Sequence, residues 1–246
     1  MTEKLIETEK WIRIKLIQIS LLLEKMNDLL NSDIKNQKEK VDNLKIKNNP
    51  KFMDSVYKRG YKTINDIKKL EKLEPLTAMK YQKQIWISLK LDWEETKLNL
   101  AKDNFHQLTL KSIFLLIMAH IENSLRTVCE QLKEEKKLLL GWNDLKGSTL
   151  DVYKNYITKV AKFSYDFGSS KNWNSIKDNY ILRNYLIHNE GGFDNSEKFK
   201  RLKKIVDDSD ELKFNNKMEF ELSLKYLHSL IDQADNFIDE LFRHLS

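Results

Sequence analysis

One stretch of the chain gathers residue types that handle a phosphate ester: Leu182-Arg183-Asn184-Tyr185-Leu186-Ile187-His188-Asn189-Glu190-Gly191. A guanidinium can grip a phosphate through two parallel N–H bonds, an amide can orient it, and an imidazole can carry a proton near neutral pH. On a helix Asn184 and His188 stand one turn apart on the same face. Arg183 lies about 140° round from His188 and must reach across with its long side chain. His188 also falls in the last turn before Gly191-Gly192, where the negative end of the helix dipole favours the imidazolium. Such a set suits proton transfer while an RNA 2′-hydroxyl attacks the adjacent phosphorus, a step that needs no metal.

Other machinery is missing from the sequence. There is no G-x-x-x-x-G-K-[ST] and no G-x-G-x-x-G phosphate cradle, no G-x-S-x-G elbow, and no H-E-x-x-H among the five histidines His106, His120, His188, His228 and His244. No metal and no cofactor is therefore expected. Asp207-Asp208-Ser209-Asp210 reads as an exposed acidic turn. The single cysteine, Cys129, reads as a core thiol; it leaves no disulfide within the chain and fits a reducing compartment.

The elements that must carry the cluster are helical. Ile12, Leu16, Ile19, Leu23, Met26 and Leu30 alternate steps of four and three, which predicts a helix over 5–45 that packs either in its own bundle or on a partner. Asn48-Asn49-Pro50 and Arg59-Gly60-Tyr61 punctuate, and a short helix is expected to stop near Pro75. From Leu76 to about Lys137 no Pro or Gly occurs, so two long helices with a break near Asp103-Asn104 are predicted, the second being the core helix. Ser148 with Asp151 marks the start of a helix expected to end around Phe167-Gly168-Ser169-Ser170. Trp173 to Glu190 is the helix of the cluster, stopped by Gly191-Gly192. Leu212-Lys213-Phe214 and Met218-Glu219-Phe220 around Asn215-Asn216-Lys217 read as a small hairpin, and Glu221 to Leu245 as an amphipathic helix.

Composition agrees with this layout. In 246 residues there are only 6 Gly and 2 Pro, too few turns for a sandwich, a barrel or a doubly wound sheet. With 41% hydrophobic and 33% charged residues the chain has material for a core. The expected fold class is all-α: a helical bundle over 76–246 with an N-terminal helical extension over 1–75. The longest fully apolar run, Ile113 to Ala119, is far short of the roughly 20 residues a bilayer crossing needs, and Ile17 to Leu23 lacks a signal-peptide cleavage site. A soluble, cytoplasmic protein with no membrane partner is expected. The net charge of +6 is compatible with a nucleic-acid partner without requiring one.

Arg183, Asn184 and His188, followed by Gly191, resemble the HEPN superfamily, whose ribonuclease members carry an Arg, a polar residue and, after a few positions, a His. Glu122 in Ala119-His120-Ile121-Glu122-Asn123-Ser124-Leu125 resembles the polar residue that family members carry on the preceding long helix, and the C-terminal amphipathic helix is also similar. The resemblance maps onto residues 76–246. It implies a HEPN-like bundle and a metal-independent endoribonuclease of the toxin or anti-phage class, acting on an RNA substrate as a homodimer with a composite active site. Arg183 would stabilise the phosphorane, His188 move protons, Asn184 orient, and Glu122 position Arg183. An antitoxin or regulatory partner, including one that modifies Tyr185, is implied as well. The alternative is a non-catalytic HEPN-like module for RNA or nucleotide binding or for assembly. Tyr185, with Trp142, Trp173 and Tyr180, reads either as a base-stacking platform or as helix packing. The cluster Lys198, Lys200, Arg201, Lys203 and Lys204 reads either as an RNA-backbone contact or as a solvated helix face.

Overall fold

In a computed structural model the described residues are 2–48, 75–188, 197–215 and 219–245; the side chains of residues 75–78, 81, 103, 188, 197 and 198 fall outside the description. The elements in order are α1 (Glu3–Lys47), α2 (Pro75–Asn99), a π-helical stretch (Leu100–Phe105), α3 (His106–Glu135), a 3₁₀ turn (Trp142–Asp144), α4 (Thr149–Asn155), a second π stretch (Tyr156–Val160), α5 (Lys171–His188), α6 (Glu197–Asp207), β1 (Leu212–Phe214), β2 (Phe220–Leu222) and α7 (Leu224–Leu245). The described chain is mostly helical with one two-stranded sheet, as the scarcity of Gly and Pro requires. It packs as two compact units, Met1–Lys25 with Gln107–Ser246, and Met26–His106. The boundary read from the sequence at 75/76 falls inside the second unit. The reason is that Leu5, Ile12, Leu16, Ile19 and Leu23 of α1 are buried, and Arg13 bonds Asp235 and Asp239 of α7 at 3.0 and 2.8 Å, so the first 25 residues belong to the larger core.

In the larger unit α3 contributes Leu110, Ile113, Phe114, Ile117, Ile121, Leu125, Val128 and Leu132 to the interior, and α7 contributes Leu227, Leu230, Ala234, Phe237, Ile238 and Leu241. Both show the three-and-four spacing of an apolar helix face. The helical run Gln82–Glu135 is long and apolar enough, by length and composition, to cross a membrane; half of its most apolar window is buried inside the fold. Near Asp103-Asn104 the helix does not break. The extra residue is taken up as the π-helical stretch, a widening that keeps helical direction through poor helix formers.

Ser148 caps α4, its hydroxyl accepting from the Asp151 N–H. That helix ends earlier than its sequence suggests. After Val160 the backbone turns at Lys162 with φ 57°, and Lys136 Nζ donates to the Ala161 carbonyl at 2.7 Å. The turn delivers Tyr165 and Phe167 to an aromatic cluster, with Phe167 and Trp173 centroids 4.8 Å apart and Trp173 and Phe237 5.4 Å apart. A continuing helix would have pointed them elsewhere. Ser170 then caps α5 by accepting from the Trp173 N–H.

The hairpin forms with Leu212 opposite Leu222 and Phe214 opposite Phe220. Its second strand lies two residues later than expected, because Phe220 and Leu222 are the buried pair and Glu221 reaches Lys213 at 3.1 Å; Met218 lies outside the described residues. Gln107 of α3 seals the outer edge of this strand, donating from Nε2 to the Leu222 carbonyl and accepting the Leu222 N–H at Oε1, both at 3.0 Å. The segment 49–74, with its expected turn and short helix, lies outside the described residues, and Pro75 stands as the first residue of α2, where its missing N–H costs nothing.

Candidate functional site

Helix α5 exists because Trp173, Ile176 and Leu182 pack inward, each buried at 1% exposure or less. Tyr180 and Arg183 follow Trp173 and Ile176 by seven residues, two turns further along the same side of the helix, and with Asn184 they are half-exposed there. Opposite them on α3, Ile121 and Leu125 turn into the core, which leaves Glu122 at the surface facing α5. Arg183 Nη2 stands 4.0 Å from Glu122 Oε2, and both side chains are about a quarter exposed at 26% and 28%. Arg183 Nη1 donates to Asn184 Oδ1 at 2.9 Å, and the guanidinium carbon lies 5.5 Å from the Tyr180 ring centroid. A carboxylate, an amide and an aromatic face therefore hold one guanidinium at the surface. A planar cation fixed this way presents a fork to an oxyanion.

The neighbourhood is electrostatically coupled. Tyr153 of α4 is pushed up to about 12, first by burial and then by the negative charge of Glu122, against the opposing pull of Arg126. Arg126 lies one helical turn beyond Glu122 and donates to Asn123 Oδ1 at 2.6 Å. Neither Arg126 nor Tyr153 stands out as a site residue in the sequence. The Glu122/Arg126 spacing of four was the available signal for the first, whereas nothing local marked Tyr153, whose place depends on the fold.

His188 is the last described residue of α5. Its side chain lies outside the described residues, as do Glu190 and Gly191-Gly192. Tyr185 packs on Phe220 of the hairpin at 6.0 Å between centroids, and burial raises its phenol. It is a packing aromatic in this arrangement. Trp173 is buried in the aromatic cluster, and Trp142 packs on Tyr153 at 5.3 Å. Lys200, Arg201, Lys203 and Lys204 are exposed along α6, and the side chain of Lys198 lies outside the description. Arg201 Nη2 meets Asp178 Oδ1 of α5 at 3.2 Å. Arg201 and Lys204 line a cleft of about 560 Å³ with Ser175, Asp178, Asn179 and Tyr226.

The remaining candidates take structural places. His120 Nε2 lies 3.1 Å from the Ile12 carbonyl beside the Trp11 ring, and burial lowers its basicity, so it is a packing histidine. Cys129 is fully buried, and burial raises its thiol well above the ordinary range, which removes it as a nucleophile at neutral pH. Among the described residues no group of three or more His, Cys, Asp or Glu side chains is placed to hold a metal ion. Fold and cluster together define a mostly α-helical protein with a surface guanidinium set by a carboxylate and an amide. The chain matches no family model, no curated protein and no solved structure.

Proposed function

We propose that this chain is an endoribonuclease of HEPN type that cleaves RNA by 2′-hydroxyl transesterification without a metal, as a homodimer whose two copies build one cleft. The observation that carries the proposal is the set of groups around Arg183, residues singled out by the resemblance: its guanidinium stands 4.0 Å from Glu122, 61 positions earlier on another helix, and bonds Asn184 at 2.9 Å. In the reaction, an imidazole takes the 2′-hydroxyl proton as O2′ attacks phosphorus, and Arg183 neutralises the charge that grows on the phosphorane oxygens. The P–O5′ bond then breaks, an imidazolium returns a proton to O5′, and a 2′,3′-cyclic phosphate remains. With one His188 from each copy, base and acid are both supplied. Glu122 is a positioning residue, orienting the guanidinium fork, and Asn184 holds its Nη1.

The test uses purified protein and RNA in EDTA. Cleavage with cyclic phosphate ends, lost in His188→Ala and Arg183→Ala, supports the proposal. Intact RNA with wild-type protein, or full activity in His188→Ala, overturns it; RNA binding that survives without cleavage would favour a binding module instead. A class of toxin or defence effector predicts further that expression of wild type, and not of His188→Ala, arrests bacterial growth while cellular RNA is cut.

A further inference from the structure

The second unit leaves an apolar row uncovered. Within that unit Ile34, Val41 and Leu44 of α1 pack on Leu91 and Leu98 of α2, and Lys45 Nζ bonds Glu95 Oε1 at 2.8 Å. On another side of α2 and at the first residue of the π stretch that continues it, Met79, Trp86, Trp93 and Leu100 stand at every seventh position and are 68%, 58%, 60% and 43% exposed. Gln82, Leu89 and Thr96 interleave to complete steps of three and four. Lys90 Nζ lies 4.8 Å over the Trp86 ring and Lys97 Nζ 5.1 Å over Trp93, so lysine stems are what touch these indoles. A strict seven-residue repeat suits a helix facing another helix, because 3.5 residues per turn follow a supercoiled partner, whereas a flat surface favours the 3.6 of a straight helix.

The geometry points to a second copy of this chain as the occupant, its α2 lying parallel along the same row. The flanking charges choose the direction. One flank carries Lys83, Lys90 and Lys97; the other carries Asp92 and Asn99, its earlier position, Ile85, being buried within the chain. In a parallel pair each flank meets the opposite flank five residues further along, which sets Asp92 against Lys97 of the other copy, twice per dimer. An antiparallel pair would set the lysine rows against each other. Lys97 already reaches Glu94 Oε1 at 3.3 Å within its own helix, and the cross-copy contact adds to that pair. Two exposed indoles with a methionine and two leucines supply the apolar surface that such a pairing covers. The pairing rests on α2 alone, and it is the contact that would hold together the two copies the nuclease reading needs.

Sedimentation equilibrium of the full chain at micromolar concentration tests it. Wild type is expected at twice 29.3 kDa and Trp86→Glu/Trp93→Glu at once that mass, with unchanged helical circular dichroism. Met79→Cys is expected to oxidise to a covalent dimer, since only parallel register sets position 79 against itself. If the tryptophan variant loses its fold, charge reversal gives the same answer: Asp92→Lys dissociates the dimer, and adding Lys97→Glu restores it. His188→Ala keeps the double mass, so failure of the nuclease reading leaves this result untouched. A wild-type monomer overturns the inference, whether its indoles are shielded by its own residues 49–74 or bind phosphatidylserine vesicles. So does a Trp86→Glu/Trp93→Glu variant that stays dimeric, or a Met79→Cys chain that never cross-links.

Discussion

Arg183 draws its meaning from what surrounds it: a carboxylate at 4.0 Å, an amide at 2.9 Å and a tyrosine ring at 5.5 Å. If those groups aim the guanidinium at a scissile phosphate, Arg183→Ala is expected to lower RNA cleavage by about 10²–10³, with Arg183→Lys restoring little because an ammonium lacks the planar fork. Glu122→Gln keeps the shape and removes the charge, so kcat should fall while KM holds, which separates positioning from binding. Proton transfer by imidazole at both ends predicts a bell-shaped pH profile that His188→Ala abolishes. A second residue makes a stability prediction. Burial pushes the Glu240 carboxyl up, but hydrogen bonds from Ser170, Tyr165 and Asn172 outweigh it and hold the group below its usual value. A depressed folded value means that its stabilisation is present above about pH 4, the unfolded carboxylate value, and is lost as pH falls through the folded one. Thermal midpoints measured against pH should therefore drop less steeply in acid for Glu240→Gln than for wild type.

At the level of elements, short contacts across long sequence separation decide where helices and strands stop. Gln107 acts as a third strand of one residue, satisfying both the N–H and the carbonyl of Leu222. Gln107→Ala leaves both groups unpaired, and urea unfolding is expected to show a loss of about 2–4 kcal/mol, since each orphaned polar group costs ~1–3 kcal/mol when buried. The early end of α4 has the same kind of cause. Tyr165 and Phe167 are drawn into the cluster around Trp173 and Phe237, and Ser170 joins the α5 cap to Glu240. These segments carry no unusual local propensity; Phe237 and Glu240, which they touch, lie about 70 residues away.

For the whole molecule, the first 25 residues are part of the larger unit's core, so their removal is a core mutation. Ile12 and Leu16 are 1% and 2% exposed, and Arg13 forks to Asp235 and Asp239. Ile12→Ala is expected to cost about 2–5 kcal/mol in denaturant unfolding. Deletion of residues 1–25 should abolish the cooperative transition, whereas an independent N-terminal extension would leave it intact.

Local pattern alone determined the helical class, because so few Gly and Pro residues permit little else, and it placed α1, α3, α5, α7 and the Ser148 cap, whose signals repeat every three or four residues or sit in one turn. It also marked Arg183 and Asn184 by residue type and spacing to His188, and Glu122 through the resemblance those residues carry. Only the tertiary structure decided that Glu122 meets Arg183, that α1 divides its residues between two units, that Tyr185 packs on Phe220, and that Tyr153 feels Glu122. The physical reason is common to all four. Periodicity states which face of an element is apolar, but the partner for that face is chosen by packing among elements far apart in the chain, and no local window contains both sides of such a contact.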